Sequence, residues 1–124
     1  MRSTSLTALA AQQLELARSH SSGRASHTVY GGQEHHLRQT VIALVEGRAL
    51  GEHESPGEAT LHVLTGRVRL STGAESWEGD EGEHLVIPAA RHDLTALSDA
   101  AVLLTVAIRP SSPESEPTDS STSD

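Results

Sequence analysis

Residues 50–68 read LGEHESPGEATLHVLTGRV. The run Ala59–Leu64 has the length and composition of a strand. After Thr65-Gly66 the chain continues as Arg67-Val68-Arg69-Leu70, which alternates polar and apolar as a half-buried strand does. Gly66 therefore closes a strand-turn-strand unit. Ahead of it lie His53, several glutamates and a Pro56-Gly57 turn, and His62 sits inside the strand. Histidines and glutamates on a hairpin are the raw material of a metal site. Whether they act together depends on which face of the strand each one occupies, because a shift of one residue moves a side chain to the opposite face.

The same strand signals recur on both sides. Gln39–Val45 is rich in β-branched residues and is followed by Gly47, Ser76–Glu78 is short, and His84–Ile87 stops at Pro88. His92–Leu97 leads into a Ser98-Asp99 turn, and Ala101–Ile108 is the most hydrophobic run. Short strands with frequent turn signals and no helix between them predict an antiparallel sandwich or barrel. Before them, Leu6, Leu9, Ala10, Leu14 and Ala17 have helical spacing, with Ser3 or Ser5 placed to cap the start. A polar Gly/Ser segment, Ser19–His27, follows that helix. The last residues, SSPESEPTDSSTSD, lack apolar side chains and are expected to be disordered. The expected organisation is a helix and linker over residues 1–22, a β-barrel domain over 23–109, and an acidic Ser/Pro-rich tail over 110–124.

At 124 residues the chain is sized for one domain, and without cysteine it has neither disulfides nor thiolate ligands. The net charge is −8, and four of the carboxylates (Glu114, Glu116, Asp119, Asp124) lie in the tail, so the body carries −4. Nothing resembles the basic footprint of a nucleic-acid binder. No apolar run approaches a membrane span, and the N-terminus makes a poor signal peptide, so a cytoplasmic protein is expected. With one Tyr, one Trp and no Phe, the core must be built from Leu, Val, Ile and Ala.

Two blocks together resemble a known family. Val63-Leu64-Thr65-Gly66-Arg67-Val68 is similar to the strand-turn-strand that closes the first motif of small cupins, and Gly82 to Pro88 has the G-x5-P spacing of their second motif. The resemblance covers about residues 35–108. It implies an all-β antiparallel jelly-roll barrel, here with one N-terminal α-helix. In metal-binding cupins three histidines and a glutamate project from the inner face, a donor set suited to Fe, Mn, Ni or Zn. Counted back from Gly66, the family's glutamate position is Ala59, and its two histidine positions are His53 and Ser55. The second motif supplies His92, with Ala90 where the family has glycine and one residue fewer before the histidine. The motifs are therefore degenerate, with His53 and His92 as the inward candidates. Glu58 joins them only if the strand begins after it or bulges, and His62 is out of phase with the apolar Ala59-Leu61-Val63 face.

Other polar residues have simpler readings. His35-His36 belongs to an exposed strand start, and His84 to a strand edge. Either Gln39 or Thr40 must face inward, and an inward Gln39 would add a hydrogen-bonding group to a pocket. Arg67 and Arg69 share one face and are expected in surface ion pairs. Trp77 covers one end of the barrel or packs in an interface. The expected function is a cupin-type small-molecule-binding protein, sensory or accessory, with Gln39, His53 and His92 in the ligand site. The alternative is a metal-dependent cupin enzyme of the oxygenase or isomerase class, holding a divalent ion on His53, Glu58, His62 and His92. The expected partners are a small-molecule ligand and a second copy of the chain, with no nucleic acid and no membrane.

Overall fold

A computed structural model describes residues 1–53 and 57–107, with the backbone alone for residues 52 and 53. The expected acidic tail lies outside the described residues, as does Ser55. The chain opens with helix α1, Leu6–Ser19. Ser5 caps it: the Ala8 amide donates to Ser5 Oγ at 3.2 Å, satisfying one of the free amides of the first turn. Leu9, Ala10, Leu14 and Ala17 form its buried stripe, which covers Ala43 and Ala101 of the sheet below. Alanines on both sides let the helix lie close. At its other end Arg18 Nε donates to Asp99 Oδ2 at 2.9 Å, while Asp99 Oδ1 accepts from the Glu46 amide at 2.8 Å. One carboxylate thus ties the helix to two turns of the barrel.

Among the described residues nine strands follow: β1 Arg24–Tyr30, β2 Leu37–Leu44, β3 Ala49–His53, β4 Glu58–Thr65, β5 Arg67–Ser71, β6 Ser76–Asp80, β7 His84–Val86, β8 His92–Ala96 and β9 Ala100–Ala107. The pairs β2–β9, β3–β8, β4–β7 and β5–β6 are nested and all antiparallel. They describe one long ribbon that folds over itself, after which β9 also pairs with β4, and β8 with β5. That is a jelly roll. The resulting sheets have the orders β1-β2-β9-β4-β7 and β3-β8-β5-β6.

The strand alternation sorts side chains between two environments. Leu44, Ala59, Leu61, Val63, Val68, Leu70, Leu94, Ala96, Val102 and Val106 face one another between the sheets and form the main core. The odd residues of β2 and β9, such as Ala43 and Ala101, turn outward to the helix. Two strands carried no clear signal in the sequence. β1 (RASHTVY) adds to the open edge of β2 and is mostly exposed, so it lacks apolar alternation, and β3 is a short edge strand. The segment read as a polar linker is therefore half strand. Arg67 and Arg69 make the expected outward ion pairs, Arg67 with Glu78 at 2.7 Å and with Asp80 at 2.8 Å, and Arg69 with Glu78 at 3.5 Å. These hydrogen bonds raise the Arg67 pKa, Glu78 first and Asp80 next, and hold the Glu78 carboxyl below its ordinary value. No helix among the described residues is long and apolar enough to cross a membrane.

Candidate functional site

The space between the sheets is where a jelly roll can hold a ligand, so the inner-face residues define the candidate site. β8 places His92, Leu94 and Ala96 on that face, all buried, with Asp93 and Thr95 turned away. Among the described residues His92 is the only buried histidine. Its Nδ1 lies 2.9 Å from the Ala90 carbonyl oxygen. A carbonyl can only accept, so in the neutral ring Nδ1 carries the proton and Nε2 is the acceptor nitrogen. The Pro88–Arg91 turn, shorter than in the family motif, thereby orients the ring from below. On the neighbouring strand, His53 is the register partner of His92, after a register shift that follows Leu50. The His53 side chain lies outside the described residues.

β4 settles the phase of the remaining candidates. Glu58 and Ala59 pair with Ala107 and Val106 of β9 without interruption, so the strand begins at Glu58 in regular register. Ala59 faces the core at 6% exposure, and Glu58 is exposed on the other face. His62 shares that outer face, opposite His84 of β7. The structure thus leaves His92 on the inside and puts Glu58 and His62 on the outside. Among the described residues no group of three or more His, Asp or Glu side chains converges on one point. At the position where the family motif has its carboxylate, the inner face offers a methyl group. The described inner-face residues therefore do not fit the three-histidine, one-glutamate centre.

Gln39 is also on the outer face. Its Nε2 donates to Thr105 Oγ1 at 3.3 Å, and Thr40 is the residue of that pair that turns inward. The alternation of β2 separates two cavities. On the outer side, a shallow groove of about 1050 Å³ runs between the N-terminal residues and the sheet, lined by Leu6, Tyr30, His35, Leu37, Gln39 and Leu103 among others. On the inner side, a cleft of about 380 Å³ opens between β1, β2 and β3, lined by Ser22, Arg24, Ala25, Ser26, Thr40, Ile42 and Leu50. Ile42 and Leu50 pack against the main core, so the cleft is a surface opening into the barrel interior. Its floor is apolar, its walls carry hydroxyls, and Arg24 stands at the rim. The outer groove is larger, but the inner cleft has the make-up of a ligand site: apolar floor, few polar groups, backing by a rigid core. Arg24 did not stand out in the sequence, because β1 had no signal; Thr40 was one of two candidates for the inward residue of β2, a choice that depends on its partners.

Trp77 lies inside the second sheet, over Gly79. A Cβ on Gly79 would fall 2.1 Å from the ring's Cη2, so glycine is what allows the indole to lie flat there. The partly buried Trp77 also packs against the main core.

No family model matches the chain, and no curated protein matches it. Solved structures do. A conserved protein of unknown function from Streptococcus pyogenes is 29% identical, with a TM-score of 0.66 over 74% of this chain and 80% of that one. A cupin superfamily protein from Desulfitobacterium hafniense is 15% identical, with a TM-score of 0.64 over 69% and 78% of the two chains. An RmlC-like cupin from Desulfovibrio desulfuricans is 24% identical, with a TM-score of 0.59 over 68% and 81%. The nested strand pairing and these neighbours agree: the chain is a small protein with the cupin jelly-roll fold.

Proposed function

We propose that the protein binds a small molecule between its sheets, in a sensory or accessory role. The observation that carries this reading is the composition of the inner face. Ala59, Leu61 and Val63 stand on β4 where the family motif has a carboxylate and its neighbours, and the cleft at the β1–β2–β3 edge joins an apolar floor to Arg24, Ser26 and Thr40. Such a site suits a ligand with an apolar body and an anionic or polar end. The fluorescent probe 1-anilinonaphthalene-8-sulfonate has that form. It should bind the folded protein saturably, and Arg24→Glu and Ile42→Trp should abolish binding while each variant still melts cooperatively. Undiminished binding by both variants sinks the proposal.

One observation favours the alternative, a metal-dependent enzyme of the oxygenase or isomerase class. His53 and His92 are register partners on adjacent strands, so two of the motif's ligands are neighbours along the ladder. Protein prepared without a His tag separates the two readings. A stoichiometric transition metal, lost in His53→Ala and in His92→Ala, would support the enzyme and count against a metal-free binding site.

The proposal includes a homodimer formed through the outer face of the five-stranded sheet. Helix α1 covers one part of that face, and at its β1–β2 edge, away from β7, Tyr30 and Leu37 are exposed. Light scattering on Leu37→Glu, against the parent chain, reads out whether this edge of the face holds two copies together.

A further inference from the structure

We propose that His62 and His84 form a bidentate site for a divalent transition-metal ion on the outer face of the five-stranded sheet, separate from the barrel interior. The two residues are register partners on β4 and β7. The hydrogen bonds flanking them define the type of pair. The Val63 amide donates to the Glu83 carbonyl at 2.9 Å, and the Ile87 amide donates to the Ala59 carbonyl at 2.9 Å. The odd residues of β4 therefore occupy the hydrogen-bonded positions, and His62 with His84 is a non-hydrogen-bonded pair. In such pairs the Cα atoms stand only about 4.5 Å apart and the side chains project side by side.

That spacing suits chelation. A metal bound by two imidazoles holds each nitrogen at about 2.0–2.1 Å, which requires the nitrogens to be about 3 Å apart. Two parallel side chains on one face of a ladder reach this by turning about their own χ angles. His84 is exposed and His62 half-buried, so an ion can arrive from solvent and the rings can turn without disturbing the core. Neither ring is engaged in a hydrogen bond or ion pair among the described residues. No third His, Asp or Glu joins them there, so water fills the remaining positions. Imidazole pairs of this kind favour Ni, Cu and Zn over the hard cations. The ladder itself supplies the preorganisation, because the backbone that separates the two histidines is locked by the flanking hydrogen bonds.

The test uses the full chain without a tag and Ni²⁺ alone as probe. Titration calorimetry should give about one equivalent per chain, with Ni²⁺ raising the melting temperature. His62→Gln and His84→Gln should each weaken binding by about tenfold or more, since one imidazole remains. Each should melt like the parent in the absence of metal, because neither ring is part of the core. His92→Gln and the double variant His35→Gln/His36→Gln should bind as the parent does. The proposal is overturned if the parent binds no Ni²⁺, if His62→Gln and His84→Gln bind it as well as the parent, or if the loss instead follows His92→Gln or the His35/His36 variant.

Discussion

Substituting Gly66 by alanine tests the joint at the centre of the fold. Gly66 connects β4 to β5 with φ +81°, in the left-handed region. An L-residue there costs about 1–2 kcal/mol. Reduced freedom of the unfolded chain returns about 0.4–1 kcal/mol. The larger effect is steric. The new Cβ would stand 2.2 Å from the Asp99 carbonyl oxygen and 2.7 Å from the Ala100 Cα. Both are backbone atoms of the β8–β9 turn, which Asp99 holds to Glu46 and Arg18, so they cannot turn aside as a side chain would. Forcing an extra methyl into such a contact costs about 1–3 kcal/mol. The net loss should be about 1–5 kcal/mol, a large part of a typical domain's 5–15 kcal/mol. Urea titration followed by far-ultraviolet circular dichroism would show the midpoint falling at unchanged m-value. Gly47→Ala is the control. Its φ is +86°, but nothing stands within 4 Å of the added methyl, so it carries the conformational cost alone. Equal losses in Gly66→Ala and Gly47→Ala would refute the steric reasoning.

Gly79→Ala should push the Trp77 indole off the sheet, red-shifting its fluorescence and costing about 1–3 kcal/mol; an unchanged emission maximum counts against the stacked arrangement. The Glu46 amide and then Arg18 hold the Asp99 carboxyl below its ordinary pKa. Its contribution to stability is therefore present above the unfolded carboxylate value of about 3.9 and is lost as the pH falls through the lower folded value. In Asp99→Asn the acid-side fall in melting temperature below about pH 4 should be shallower than in the parent. Ala59→Glu should destabilise the apoprotein by burying a carboxylate in the core. Combined with Ser55→His, it should confer a metal-dependent rise in stability of about 2.7 kcal/mol at a hundredfold excess of metal over its dissociation constant. The absence of any metal response in that double variant would show that the inner face lacks more than its ligands.

Several features were legible in the sequence because their causes are local. The helix follows from its 3.6-residue apolar spacing and the Ser5 cap. The strands β4, β5, β8 and β9 follow from alternation against turn residues, and the outward Arg67 and Arg69 from the apolar residues between them. β1 and β3 were not legible, since a mostly exposed edge strand needs only an isolated apolar residue, Ala25 in β1 and Leu50 in β3, and is held by the backbone of its neighbour.

The candidate site divides in the same way. Counting from Gly66 was enough to put Ala59 at the carboxylate position, because spacing along one strand is a property of the chain alone. That Gln39 faces away from the barrel required the helix: both faces of β2 are covered, one by the core and one by α1, so alternation alone could not name the inner one. The Arg24 cleft exists only because β1 extends the sheet past β3. His62 and His84 are 22 positions apart and meet only through the β4–β7 register. Local periodicity thus determined which residues could be strands and helix, while long-range pairing decided which side chains meet, because register is set by partners distant in the chain.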